Sequence, residues 1–109
     1  MVEMTPIEAT ILQGEVYEVI RTVYDPEIPV NILDLGLIYD VDVSADGSVH
    51  IQMTLTSPAC PAAQSLPGEV EMKTRAIPGV TDLTLELVWD PAWHIDLMSD
   101  EAKLELGML

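Results

Sequence analysis

The stretch Thr56-Ser57-Pro58-Ala59-Cys60-Pro61 holds the only cysteine of the chain. A lone thiol cannot close an internal disulfide, so Cys60 either packs as a small apolar residue or uses its sulfur. With Pro61 as the first residue of a helix, Cys60 becomes the N-cap. Free amides and the positive end of the helix dipole then face the sulfur and favour the thiolate, the form that binds metals and attacks electrophiles. Acids at Asp25, Glu27 or Asp34, if close, push the other way. On the residues alone both readings of the thiol stay open. The acids of "DPE" and "ILD" also have two readings: they cap turns and helices, or they hold a hard divalent ion through oxygen ligands. His94 reads as a surface or packing histidine ahead of a metal ligand. No histidine lies in a pattern that would build a Ser-His-Asp catalyst.

The elements that must position these residues follow from periodicity. "TPIE" opens a first helix, with Thr5 as N-cap, Pro6 at the first helical position and Glu8 closing a capping box. Leu12, Val16, Val19, Ile20 and Val23 recur at helical spacing. Gly14 is a weak spot where the helix could instead begin, and "DPEIP" ends it. Residues 37–43 alternate, with Tyr39, Val41 and Val43 expected inward. After a turn at Asp46-Gly47, residues 49–56 alternate again, with Val49, Ile51, Met53 and Leu55 inward. A second helix is predicted over 61–77, with Leu66, Val70, Thr74 and Ile77 on one stripe and a kink or break at Pro67. Residues 82–89 form a third strand, with Leu83, Leu85 and Leu87 inward. Ser99 caps a short last helix that Gly107 stops.

The order is α-β-β-α-β-α. Asp40, Asp42, His50, Gln52, Thr54, Thr84 and Glu86 fall on one face of the sheet and the apolar residues on the other. The helices must therefore lie on one side, giving a two-layer α+β domain with a three-stranded mixed sheet spanning residues 1–109. This topology gathers Asp25, Glu27, Asn31, Asp34, Thr56, Cys60, Trp89, Asp90 and His94 at one end of the sheet, with His50 toward the other. Loops beside strand C-termini are a common place for binding sites.

Composition narrows the function. The 109 residues carry nineteen acids against four bases, a formal charge of −15. Such a surface repels phosphate backbones and anionic lipid, so neither nucleic acid nor membrane is an expected partner. No apolar run approaches the ~20 residues of a membrane span, and no secretion signal is evident. A reduced, cytoplasmic setting is expected.

Four blocks in order, "VYDPEIPVNILDLGLIYDV", "MTLTSPACP", "IPGVTDLTLELVWDPAW" and "MSDEAKLELGML", resemble the SufT-type, or MIP18-like, family of iron–sulfur cluster assembly proteins. The resemblance runs from Tyr17 to Leu109. It implies a small α+β domain without classical enzyme activity, and a role in maturing iron–sulfur proteins beside the assembly machinery and apo clients. The residues it marks fall on Asp25, Pro26, Glu27, Pro29, Asp34, Gly36, Thr56 and Cys60. Relatives in phenylacetate degradation carry an added cysteine-rich tail, whereas this chain has no second cysteine. No phosphate-binding glycine loop is present, so a nucleotide step would need a partner.

Two functions of different class follow. In the first, Cys60 touches iron, a cluster or another protein's thiol. Clusters are usually held by four cysteines, so one thiol suits transient transfer or adaptor work rather than stable storage. In the second, the chain is a protein-interaction module and Cys60 only packs. A third and weaker reading places a divalent ion at Asp25, Glu27 and Asp34. A weak homodimer through a sheet edge or the Cys60 end would bring two thiols together.

Overall fold

The computed structural model describes residues 4–25, 28–56 and 65–107. Helix α1 spans Pro6–Ile20. Its start is the expected capping box: the Thr5 N–H donates to Glu8 Oε1 at 3.0 Å, and the Glu8 N–H donates to Thr5 Oγ1 at 3.2 Å. Gly14 lies inside the helix, which begins eight residues before it. The helix ends at Ile20, five residues before Asp25. Asn31 then pairs in a single antiparallel bridge with Tyr24, across the turn between them.

Strands β1 (Ile38–Val43) and β2 (Ser48–Met53) form the expected antiparallel hairpin. Strand β3 (Asp82–Leu87) runs parallel to β2 and beside it, giving the order β1-β2-β3. Both pairings put the inward residues level: Val41 and Leu85 flank Ile51, and Val43 and Leu83 flank Val49. Helix α3, Leu66–Arg75, is the described part of the crossover between β2 and β3. Pro67 sits in its first turn, where a missing N–H costs no helical bond, so the expected kink is absent from the described helix. Leu66, Val70, Thr74 and Ile77 are buried, as their spacing requires.

Helices α1 and α3 pack side by side on the apolar face of the sheet, α1 against β1 and α3 against β3. The core between these layers centres on Val16, Ile20, Val41, Ile51, Met53 and Val70. At roughly 25 cal/mol per Å² of apolar surface removed from water, this burial is the main stabilising term. Two free-edge positions of the sheet are occupied by the protein's own side chains. The Gln13 amide donates to the Val41 carbonyl at 2.7 Å. On β3, Arg75 donates to the Leu83 carbonyl at 3.1 Å, and the Leu83 N–H donates to Asp82 Oδ1 at 2.9 Å.

Four expectations need correction. The segment before β1, read as a loop, contains a one-turn helix, α2 (Ile32–Leu35). Tyr39 does not point into the core: a bulge between Ile38 and Asp40 makes Ile38 the partner of Met53 and leaves Tyr39 as the extra residue. Its hydroxyl donates to the Pro91 carbonyl at 2.7 Å. Thr54, expected on the open polar face, is fully buried. Leu87, expected inward, is 40% exposed at the end of β3. Helix α4 (Asp100–Glu105) closes the described chain, capped by Ser99 through the Ala102 N–H. None of the described helices is long and apolar enough to cross a membrane.

Candidate functional site

Backbone hydrogen bonds bring three chain segments together at one end of the sheet. The Thr54 N–H donates to the Leu37 carbonyl at 2.8 Å, which holds the exit of β2 beside the entry of β1. The Val88 N–H donates to the Met53 carbonyl at 2.9 Å, which holds the exit of β3 beside both. Thr56, partly buried, therefore leaves β2 at the end where the 25–36 segment arrives. Cys60 lies four residues further along the chain. It and Glu27 are outside the described residues, as is the expected helix start at Pro61.

Asp25 is buried, and its position is fixed from both sides of the turn. Its Oδ1 accepts the Ile28 N–H at 3.0 Å, and its own N–H donates to the Val30 carbonyl at 3.3 Å. A short acid accepting a backbone N–H further along the chain is a usual way to hold a turn. Pro26 and Glu27 of the "DPEI" sequence lie between the two residues and are outside the described residues.

Asp34 belongs to α2. Asn31 caps that helix by accepting the Asp34 N–H at 2.9 Å, and Asp34 Oδ2 accepts from the Asn31 side-chain amide at 2.7 Å. The other oxygen, Oδ1, lies 3.5 Å from Arg21 of α1. Asp34 is 23% exposed and Arg21 49%, so this link from α2 to the end of α1 has the modest strength of a surface ion pair. Gly36 ends α2 with φ of +87° and lies against the backbone of Leu97. Cap and stop were both legible in "NILDLG", but four residues are too few for helical periodicity to register.

The segment after β3 returns across this end of the molecule. Trp93 donates its indole N–H to the Leu35 carbonyl at 2.8 Å, and the Ser99 N–H donates to the Asp34 carbonyl at 2.8 Å. An open cleft of about 580 Å³ is lined by Leu33, Ile38, Tyr39, Gln52, Asp90 and Leu97, among others. His94 has Asp96 as its acidic neighbour, at 3.9 Å. It is exposed, and its Nδ1 accepts the Asp96 N–H at 3.3 Å. Trp89 is 45% exposed. His50 lies on the open face, 3.3 Å from Glu86.

Asn31 and Asp34 are bonded to each other, Asp25 is held within the same 25–36 segment, Thr56 follows the β2 exit that is bonded to Leu37, and His94 is exposed. Asp25 and Asp34 use their carboxylates to shape the 25–36 loop. Among the described residues, no group of three His, Cys, Asp or Glu side chains is placed to hold a metal ion.

Known proteins place this architecture. Residues 13–86 match the family described as iron–sulfur cluster assembly protein. An Fe-S protein maturation auxiliary factor of Porphyromonas gingivalis is 54% identical over 97 residues, covering 89% of this chain and 92% of that protein. The Fe-S protein maturation auxiliary factor SufT of Staphylococcus aureus is 40% identical over 86 residues, covering 79% of this chain and 98% of that one. The crystal structure of a domain of unknown function, DUF59, from Bacillus anthracis superposes with a TM-score of 0.86 at 32% identity, over 96% of this chain and all of that one. The matched stretch contains the 25–36 loop, Thr56 and Cys60, and the chain belongs to the iron–sulfur cluster assembly protein family.

Proposed function

We propose that the protein is a non-enzymatic factor in iron–sulfur protein maturation, acting by cluster transfer or as an adaptor, with Cys60 as its working thiol. The observation that carries this reading is 54% identity, along most of both chains, to a protein named as an Fe-S maturation auxiliary factor. The convergence of the 25–36 loop and Thr56 at the β2 exit, which leads into Cys60, supports the same assignment of the site.

The chemistry is limited by ligand number. Iron–sulfur clusters are usually held by four thiolates, and this chain supplies one. The cluster or iron is cargo: Cys60 serves as one ligand for a short time, and the others come from the donor, the client or a second copy. Asp25 and Asp34 keep the 25–36 loop in shape, Glu27 belongs to that loop, and Thr56 stands four residues before the thiol. A reducing cytoplasm suits this role, because the thiol must stay free. Pairing of two copies at the Cys60 end would supply a second thiol. Sedimentation at low and high salt tests that pairing, and a monomer throughout would leave partner thiols as the only co-ligands.

Anaerobic reconstitution with iron and sulfide, followed by absorption spectroscopy, is the direct test. Wild type should gain charge-transfer absorption in the presence of a thiol-bearing acceptor, and Cys60→Ser should not. In cells, Cys60→Ser should fail to support maturation of cluster enzymes. Full rescue by that variant, with slow thiol alkylation in the wild type, would make Cys60 a packing residue and the chain an interaction module.

A further inference from the structure

We infer that the outer side of the helical layer is a docking groove for a basic amphipathic helix of a partner protein. A cleft of about 450 Å³ runs between α1 and the end of α3, floored by Val19, Ala76, Ile77 and Pro78. A second, of about 300 Å³, continues it along α1 past Leu12 and Ile11 to Met4. The two share Glu15 and Pro78, so they form one continuous furrow. Beside it stand large exposed apolar side chains: Ile7 is 73% exposed and Ile11 57%, four residues apart on one face of α1. Met72, one turn before Ala76 on α3, is 66% exposed. None of the lining residues belongs to the candidate site at the Cys60 end.

The rim gives the sign of the occupant. Glu8, Glu15 and Glu18 border the furrow. The one base lining it, Lys73, is already engaged: its amine lies 3.1 Å from Glu69, 3.2 Å from the Thr22 carbonyl and 3.1 Å from the Thr22 hydroxyl. Glu18 has Arg21 at 3.8 Å, but no lining base matches Glu8 and Glu15, so the net charge at the rim is negative. A second copy is a poor occupant, because each copy carries a formal charge of −15 and would set acids against acids. The furrow also lies between two helices and offers no strand edge, so an incoming segment must satisfy its own backbone, which a helix does. Helix-in-groove recognition with an apolar stripe on the floor and Lys or Arg at the flanks meets each requirement.

This surface goes beyond the cluster reading and does not depend on Cys60. Its test is an NMR titration of the ¹⁵N-labelled protein with a synthetic Leu/Lys amphipathic helix of about 18 residues, five turns. Saturable shifts centred on Ile11, Val19, Ala76 and Ile77, absent with the matching Leu/Glu peptide, would support the groove. Reversing the rim in Glu15→Lys/Glu18→Lys should weaken binding about tenfold, as two lost exposed attractions become repulsions. Ile11→Ser, at an exposed position that leaves the core intact, should weaken it as well. Cys60→Ser should titrate like wild type, which separates this result from any failure of the cluster role. Absence of saturable shifts, or shifts centred on Asp40, Asp42 and Glu86 of the open sheet face, would overturn the inference. So would a dimer that the Glu15→Lys/Glu18→Lys variant dissolves.

Discussion

The indole nitrogen of Trp93 lies 2.8 Å from the carbonyl oxygen of Leu35, fifty-eight residues earlier in the chain. That carbonyl belongs to the last turn of α2 and has no helical partner of its own. Together with the bond from the Ser99 N–H to the Asp34 carbonyl, this contact holds the segment after β3 against the loop that carries Asp34. Trp93→Phe keeps an aromatic ring and removes the donor. It should cost about 1–2 kcal/mol in urea unfolding, the usual penalty for orphaning a partly buried carbonyl. Amide exchange should quicken at Gly36 and Leu37 before it quickens in the central strand β2.

Gly36 and Gly107 both hold positive φ, +87° and +73°. A Cβ at Gly36 would collide with the Leu97 backbone, whereas one at Gly107 would meet open space. Gly107→Ala should cost about 1–2 kcal/mol, the conformational penalty alone. Gly36→Ala should cost clearly more in the same thermal melts, and should disturb the packing of residues 95–98. Equal costs would mean that the close approach of Leu97 contributes nothing.

Thr74 is fully buried on the inner face of α3, and its hydroxyl finds no hydrogen-bond partner among the described residues. Removing an unpaired buried hydroxyl while keeping the branched shape removes a desolvation cost. Thr74→Val should therefore stabilise the fold by about 1 kcal/mol, read as a higher denaturant midpoint at unchanged slope. A loss of stability would reveal a partner for the hydroxyl.

Glu8 is held below its ordinary carboxylate value of 4.5 by its hydrogen bonds with Thr5, the backbone N–H contributing first and the side chain second. Asp46 is held below 3.8 in the same way by the backbone N–H of Ser48, then by that residue's side chain. Each group is more acidic folded than unfolded. Its contribution is complete above the unfolded value and is lost as pH falls through the lower folded one. Glu8→Gln should therefore be less stable than wild type at neutral pH, with the difference closing only below pH 4.5. Carboxyl NMR titration should place the Glu8 midpoint under that value. A difference that stayed constant down to low pH would assign the effect to the amide's geometry rather than to charge.

Much of this arrangement was legible because it rests on local rules. Thr5, Pro6 and Glu8 define the start of α1 without help from the rest of the chain. Val49, Ile51 and Met53 alternate, and each finds its level partner across the sheet. The placing of the β2 exit beside the entry of β1, where the 25–36 segment ends, followed from strand directions alone. What failed depended on contacts distant in sequence. Tyr39 left its expected face because a bulge inserts one residue, and period-2 alternation cannot anticipate that insertion. Thr54 is buried although its parity is outward; the end of the sheet where it sits is the one crossed by the segment from Val88 to Ser99, tied down through Pro91, Trp93 and Ser99. Leu87 has inward parity but lies at the end of its strand, and alternation says which side a residue faces, not how far the helices extend over it.

The side chains of Gln13, Asp82 and Arg75, which occupy backbone groups of Val41 and Leu83, have one more consequence. A bare sheet edge presents unpaired backbone groups that can template an extended chain into an aggregate. An incoming strand finds the Val41 carbonyl on β1 and both backbone groups of Leu83 on β3 already taken. Both edges of the sheet thereby lose a position at which strand addition could begin.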